Sequence, residues 1–129
     1  MVPSSHLDLL ERPLPAVLVT LLEDGRPHAS VVWYEFADGV LRLNSERGRR
    51  KVRNIERDPR VTIVVVDPDD QHRYLEVRGD AVSVTEHGAL EHRAALDRRY
   101  LGSDHWSDPA DDAHARVVIS VRPVSVHAH

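Results

Sequence analysis

Apolar and polar positions along this chain change period several times, and each change marks an element. Residues 5–11 open with Ser5 and Asp8 at a variant capping-box spacing and predict a short helix, which Pro13 and Pro15 close. Residues 16–22 form a mostly apolar strand, and residues 23–27 (Glu-Asp-Gly-Arg-Pro) a hairpin turn. Residues 28–36 are the return strand, residues 37–39 a second turn, and residues 40–45 a third strand. Gly48 to Arg57 reads as a helix that Pro59 keeps from continuing. Residues 61–66 are almost continuously apolar, which predicts a strand covered on both faces. After a turn-rich loop at 67–70, residues 74–84 predict a long strand that alternates in its middle. Thr85 is the expected cap of a helix reaching Leu101, with Leu90, Ala94, Leu96, Tyr100 and Leu101 as its buried positions. Residues 102–113 are polar and read as an exposed loop; residues 115–121 form the last long strand, with 124–126 extending it past Pro123.

About six strands and three helices result, joined by short turns. A meander of this kind argues for an antiparallel barrel or sandwich, mainly β with a few helices. The apolar strands have more hydrophobic faces than one small barrel interior can hold. A homodimer interface is the simplest cover for the surplus.

Composition narrows the function classes. The 129 residues make a single domain with a modest core. There is no cysteine, which excludes disulfides, thiolate chemistry and zinc knuckles. No apolar run is long enough for a secretory leader or a membrane span, and the expected setting is the cytoplasm. Nine histidines invite a metal, but there is no His-Glu-x-x-His and no other ligand spacing, so none is expected.

Against a net charge of −4 the chain holds one dense basic stretch, Arg47-Gly48-Arg49-Arg50-Lys51-Val52-Arg53-Asn54. Lys51, the sole lysine, sits at its centre. A turn glycine, free N–H groups at a helix start and several cations together suit an anion such as a phosphate. The alternative is a solvated basic helix face. Nucleic-acid binding fits least, because no stacking aromatic lies between Arg47 and Arg60.

Taken in order, several short motifs resemble the pyridoxamine-phosphate-oxidase-like split β-barrel superfamily, in the branch that uses the deazaflavin coenzyme F420. They are Val2-Pro3-Ser4-Ser5-His6, Asp24-Gly25-Arg26-Pro27, Val32-Trp33-Tyr34, the basic stretch, Arg57-Asp58-Pro59-Arg60-Val61 and Tyr74-Leu75-Glu76-Val77-Arg78-Gly79. The resemblance implies a homodimer with cofactor sites at the subunit interface, acting on a small organic molecule. It implies a cofactor phosphate held by Arg49, Arg50 and Lys51 with Asn44 and Ser45, and a ring lying along His28, Ala29, Ser30 and Val31. His72, Arg73 and Tyr74 would reach the same pocket, and Asn54 would face it from the helix. The flavin-mononucleotide (FMN) enzymes of the superfamily resemble this chain less, since they carry an arginine near the place of His28. The chain also lacks the C-terminal extension by which true pyridoxamine-phosphate oxidases hold their substrate.

The implied activity is hydride transfer between the deazaflavin and a small substrate. The cofactor supplies the chemistry, so no nucleophile is required; His28, His72 and Tyr74 are candidate proton donors. Two rivals are an FMN oxidoreductase of the same fold and a non-catalytic carrier of a cofactor or of haem. Trp33 and Tyr34 point to opposite sides of a strand, so at least one belongs to the core or an interface. Trp106, in the polar stretch, is a candidate lid or dimer contact.

Overall fold

The computed structural model describes residues 1–102 and 115–129; Trp106 lies outside them. Along the chain the elements are α1 (Leu7–Glu11), β1 (Ala16–Leu21), β2 (Pro27–Val32), β3 (Tyr34–Ala37), β4 (Val40–Glu46), α2 (Arg50–Arg57), β5 (Arg60–Val66), β6 (Tyr74–Thr85), α3 (Ala89–Leu101) and β7 (Arg116–Ala128). The described strands form one antiparallel sheet in the order β2-β1-β5-β6-β7-β4-β3. This is a split β-barrel, as expected.

The split falls at Trp33, inside what the pattern predicts as one strand at 28–36. Val32 pairs with Ala16 on β1, whereas Tyr34 pairs with Leu43 on β4. Two consecutive strands therefore occupy opposite edges of the sheet, and a single residue carries the chain across the seam. Tyr34 anchors the far side: it is fully buried, and its hydroxyl donates to the Leu9 carbonyl at 2.9 Å. Burial pushes that phenol's pKa up. The Tyr100 ring stacks on Trp33 at 4.7 Å, and the Tyr100 hydroxyl donates to the Leu14 carbonyl at 2.8 Å while accepting from the Tyr34 N–H.

The barrel interior is filled by every second residue of the strands, among them Leu18, Leu41, Leu43, Ile63, Val65, Val77, Ile119 and Val121, with Val52 and Ile55 of α2. Each such side chain contributes about 1.5–3 kcal/mol by leaving water. The sheet's outer face is different. On β5, Val61, Ile63 and Val65 are buried, but Thr62 and Val64 are only half-covered and Val66 is exposed. The expectation of two covered faces fails within one chain. Registers place Val31, Val17 and Val64 side by side on that open face, with Ala29, Val19 and Thr62 in the next row.

Three local expectations are corrected. His6, not Ser5, precedes α1, no side chain caps the helix, and Asp8 is taken by Arg73 instead. Thr85 ends β6, and its hydroxyl accepts from the His87 N–H; Gly88, at φ +71°, precedes α3. On α3, Ala94 and Leu96 are buried, Leu90 and Tyr100 are half-buried, and Leu101 is exposed because it is the last helical residue. Pro123 lies inside β7, where a register shift near Gly79 accommodates it. A side chain at Gly79 would meet the Arg122 carbonyl oxygen at 2.5 Å, so the bulge requires glycine.

Candidate functional site

The basic stretch forms the turn and helix predicted for it. Gly48 adopts φ +95°, a left-handed conformation suited to glycine, and turns the chain from β4 into α2. Neither a capping side chain nor an acid occupies the start of α2. Val52, Asn54 and Ile55 form its buried side, which packs on β1.

The three cations at the helix start diverge. Arg49 is exposed, 3.8 Å from Glu46. Arg50 lies beside the β1–β2 turn with Glu23 and Asp24. Lys51 alone lines a cavity of about 290 Å³, together with Val31, Val32, Trp33, Asn44, Arg93, Leu96, Asp97 and Arg116. Burial is the first cause that lowers the Lys51 pKa from its ordinary 10.5, followed by the charges of Arg49 and Arg116. The cation is thus held where loss of solvent and like charges both disfavour it, which is the setting an incoming anion relieves.

Arg116 is placed by strand pairing. β4 and β7 set Glu46 opposite Arg116. The guanidinium donates from Nη1 to Glu46 Oε1 at 3.1 Å and from Nε to Asn44 Oδ1 at 2.8 Å. Asn44 in turn donates to the Ala89 carbonyl at 2.8 Å and approaches His92 Nδ1 at 3.1 Å, tying the cavity wall to α3.

Of the residues expected at one site, the structure brings Val31, Asn44 and Lys51 to this cavity. Ser45 alternates with Asn44 and is buried on the inner side of β4. His28 and Ser30 face inward from β2, where His28 Nδ1 and Ser30 Oγ are buried without a hydrogen-bond partner; Ala29 is exposed on the outer face. Asn54 does not face the cavity: it is buried, and its amide donates to Thr20 Oγ1 at 3.0 Å.

His72, Arg73 and Tyr74 are not brought to the cavity of this chain. Tyr74 stacks on His129 and pairs with it through the backbone, whereas Arg116, at the cavity, begins the same β7 strand. Thirteen residues of strand separate the two ends by about 40 Å of path. Arg73 is bound by Asp8 and Asp67, the latter at 2.9 Å, and it also donates to the Ser5 carbonyl. Those carboxylates raise its pKa; Arg73 in turn lowers that of Asp8, whereas Asp67 is lowered first by the Asp69 N–H and then by Arg73.

The sequence reading missed Arg93, Asp97 and Arg116, and left Trp33 undecided. Arg93 and Asp97, four apart on α3, had a visible helical pairing; Arg116 became a site residue only through its strand neighbours. A larger cavity, about 400 Å³, lies on the outer sheet face among Val19, Leu21, Arg60, Arg78 and Val124. It gathers none of the predicted site residues. Among the described residues no cluster of His, Asp or Glu could hold a metal, and no helix is long and apolar enough to cross a membrane.

These positions fit an anionic group. A phosphate needs charged donors at a partly dry wall, which Lys51 and Arg116 provide, whereas His28 and Ser30 do not line this cavity.

A family model described as pyridoxamine 5′-phosphate oxidase matches residues 3–129. Among solved structures, an F420 reductase is similar at 37% identity, with 98% of each chain covered and a TM-score of 0.89. A conserved hypothetical protein from Mycobacterium tuberculosis is 24% identical over 99% of this chain and 84% of its own, at TM-score 0.80. General Stress Protein 26 from Bacillus anthracis is 25% identical over 95% and 93%, at TM-score 0.71.

Proposed function

Because this chain belongs to the pyridoxamine 5′-phosphate oxidase-like split-barrel family, in the branch that includes the F420 reductase, we propose that it is a coenzyme F420-dependent oxidoreductase acting on a small organic substrate. The observation that carries this reading is Lys51, desolvated beside Arg49 and Arg116 at the wall of the cavity. The similarity to an F420 reductase over nearly the whole of both chains supports the choice of cofactor.

When bound, the deazaflavin supplies two-electron hydride transfer. Lys51 and Arg116 would hold its phosphate, with Asn44 orienting Arg116, and Val31 with Trp33 would supply an apolar wall for its ring. The stack of Trp33 on Tyr100 keeps that wall in place. No side chain of the chain has to act as nucleophile.

A cavity of about 290 Å³ is at the small end for ligand sites. It suits a phosphate and a ring, and it leaves the rest of a long coenzyme to be covered by something else. The open apolar face of β2, β1 and β5 supports a homodimer, with an interface of roughly 2,000 Å² or more. Sedimentation at submicromolar concentration should show a dimer; a monomer that still binds cofactor would contradict this.

The test of function is a pair of fluorescence titrations. F420 should bind at least about tenfold more tightly than FMN, a difference of about 1.4 kcal/mol, because His28 stands where a flavin phosphate would want an arginine. Equal affinities, or yellow protein from a host without deazaflavin, would favour the FMN reading.

A further inference from the structure

His92 lies behind the cavity wall, on α3, and has no place in the reading above. Its surroundings specify its protonation state. Arg116 Nε is a donor, so the Asn44 atom 2.8 Å away is the amide oxygen. The Ala89 carbonyl is an acceptor, so the Asn44 atom 2.8 Å from it is the NH2. Both ends of the amide therefore agree on one orientation. The same NH2 lies 3.1 Å from His92 Nδ1, and an NH2 facing a ring nitrogen requires that nitrogen to accept. The proton of the neutral ring then belongs on Nε2, which is buried 3.1 Å from Glu35 Oε1 but makes no hydrogen bond of good geometry.

We propose that His92 is a positioning residue: as the neutral Nε2–H tautomer it fixes the Asn44 amide with its oxygen on Arg116, and so holds the cavity guanidinium in place for an anion. Placing a proton on Nδ1 would set a donor against the Asn44 NH2. The amide would have to turn, and its NH2 would then face the Arg116 N–H, donor against donor. The anion site is therefore coupled to the charge of a residue that does not touch it.

The charged groups around the ring act in opposite directions. Glu35 on β3 favours the imidazolium and Arg42 on β4 opposes it, while Arg116 on β7 faces the ring across the Asn44 amide. Burial opposes it most, and the net effect holds the His92 pKa below its ordinary value. The neutral ring is accordingly the form at neutral pH.

The inference rests on the reading that the cavity takes an anionic cofactor, and the experiment separates the two. Long-range 15N NMR of cofactor-free protein, with the His92 signals assigned by their loss in His92→Phe, should show the Nε2–H tautomer near pH 7. An Nδ1–H tautomer or an imidazolium at that pH would overturn the proposal. F420 fluorescence titrations then compare wild type, His92→Phe, His92→Asn and Lys51→Ala between about pH 5 and 8. Wild-type affinity should fall as the pH drops through the His92 titration seen by NMR. His92→Phe should bind roughly threefold to tenfold more weakly at neutral pH, the loss of one hydrogen bond, and should lose that pH dependence. His92→Asn, whose side-chain oxygen can accept from Asn44, should recover affinity while remaining flat with pH. If Lys51→Ala binds as tightly as wild type, the cavity reading fails and the inference with it. If Lys51→Ala is weak but His92→Phe keeps wild-type affinity and pH dependence, only the positioning role is overturned.

Discussion

Two arginine-rich regions of this molecule look alike in composition and behave oppositely. Around Arg73, the carboxylates of Asp8 and Asp67 meet the guanidinium, and Arg12 adds pairs to Asp67 and Asp69. Every charge there has an internal partner, and α1 is tied to the loop between β5 and β6. Around Lys51, Glu46 pairs with Arg116 and lies near Arg49, but the charges that act on the Lys51 ammonium are those two arginines. The first region raises the pKa of its cation and the second lowers it. Density of positive charge does not mark a binding site; positive charge whose neighbours fail to neutralise it does.

The comparison can be broken by substitution. Lys51→Ala should weaken F420 binding by about 1.5–3 kcal/mol, the range for a hydrogen bond to a charged group, measured by fluorescence titration. The same change should not lower the melting temperature of cofactor-free protein, because it removes a disfavoured cation. Arg73→Met should do the reverse. It strands two carboxylates and frees α1, so the melting temperature should drop clearly while F420 affinity stays at the wild-type level.

Acid and base should separate the regions in the same sense. Asp8 and Asp67 have folded pKa values below the ordinary 3.8. Their contribution to stability is present above that value and is lost as pH falls through the folded values. Lys51 has a folded pKa below 10.5, so the unfolded chain binds more protons between the two values and stability rises with pH there. Melting curves across pH should show wild type gaining on Lys51→Ala in that alkaline window, while the alkaline loss from the raised Tyr34 phenol and the acid loss are shared by both. The smallest effect belongs to Arg49→Ala. That side chain is exposed and lies 3.8 Å from Glu46, so its loss should weaken F420 binding less than the loss of Lys51 does.

Much of the fold was legible because its signals are local. Pro59 after α2, the Asp24-Gly25 turn and the alternation along β6 each act within a few residues. The seam at Trp33 was not legible, since Val32 and Tyr34 read as one strand until their different partners are known. The site divides the same way. Lys51 announced itself as a lone lysine after a turn glycine. Arg116 did not, because its role arises from pairing with Glu46, seventy residues earlier. Arg73 misled for the converse reason: Asp8, which neutralises it, is far away in sequence and adjacent in space.

The central claim, that Lys51 is an uncompensated cation waiting for the cofactor's anion, is open to a direct reading. A protein labelled with 15N-lysine gives one side-chain signal, since Lys51 is the only lysine. Titrated without cofactor, that signal should report a pKa below 10.5. Saturating F420 should move it upward, as an anion beside the ammonium favours the charged form. An ordinary value in the free protein, or a titration unchanged by saturating F420, would contradict the account.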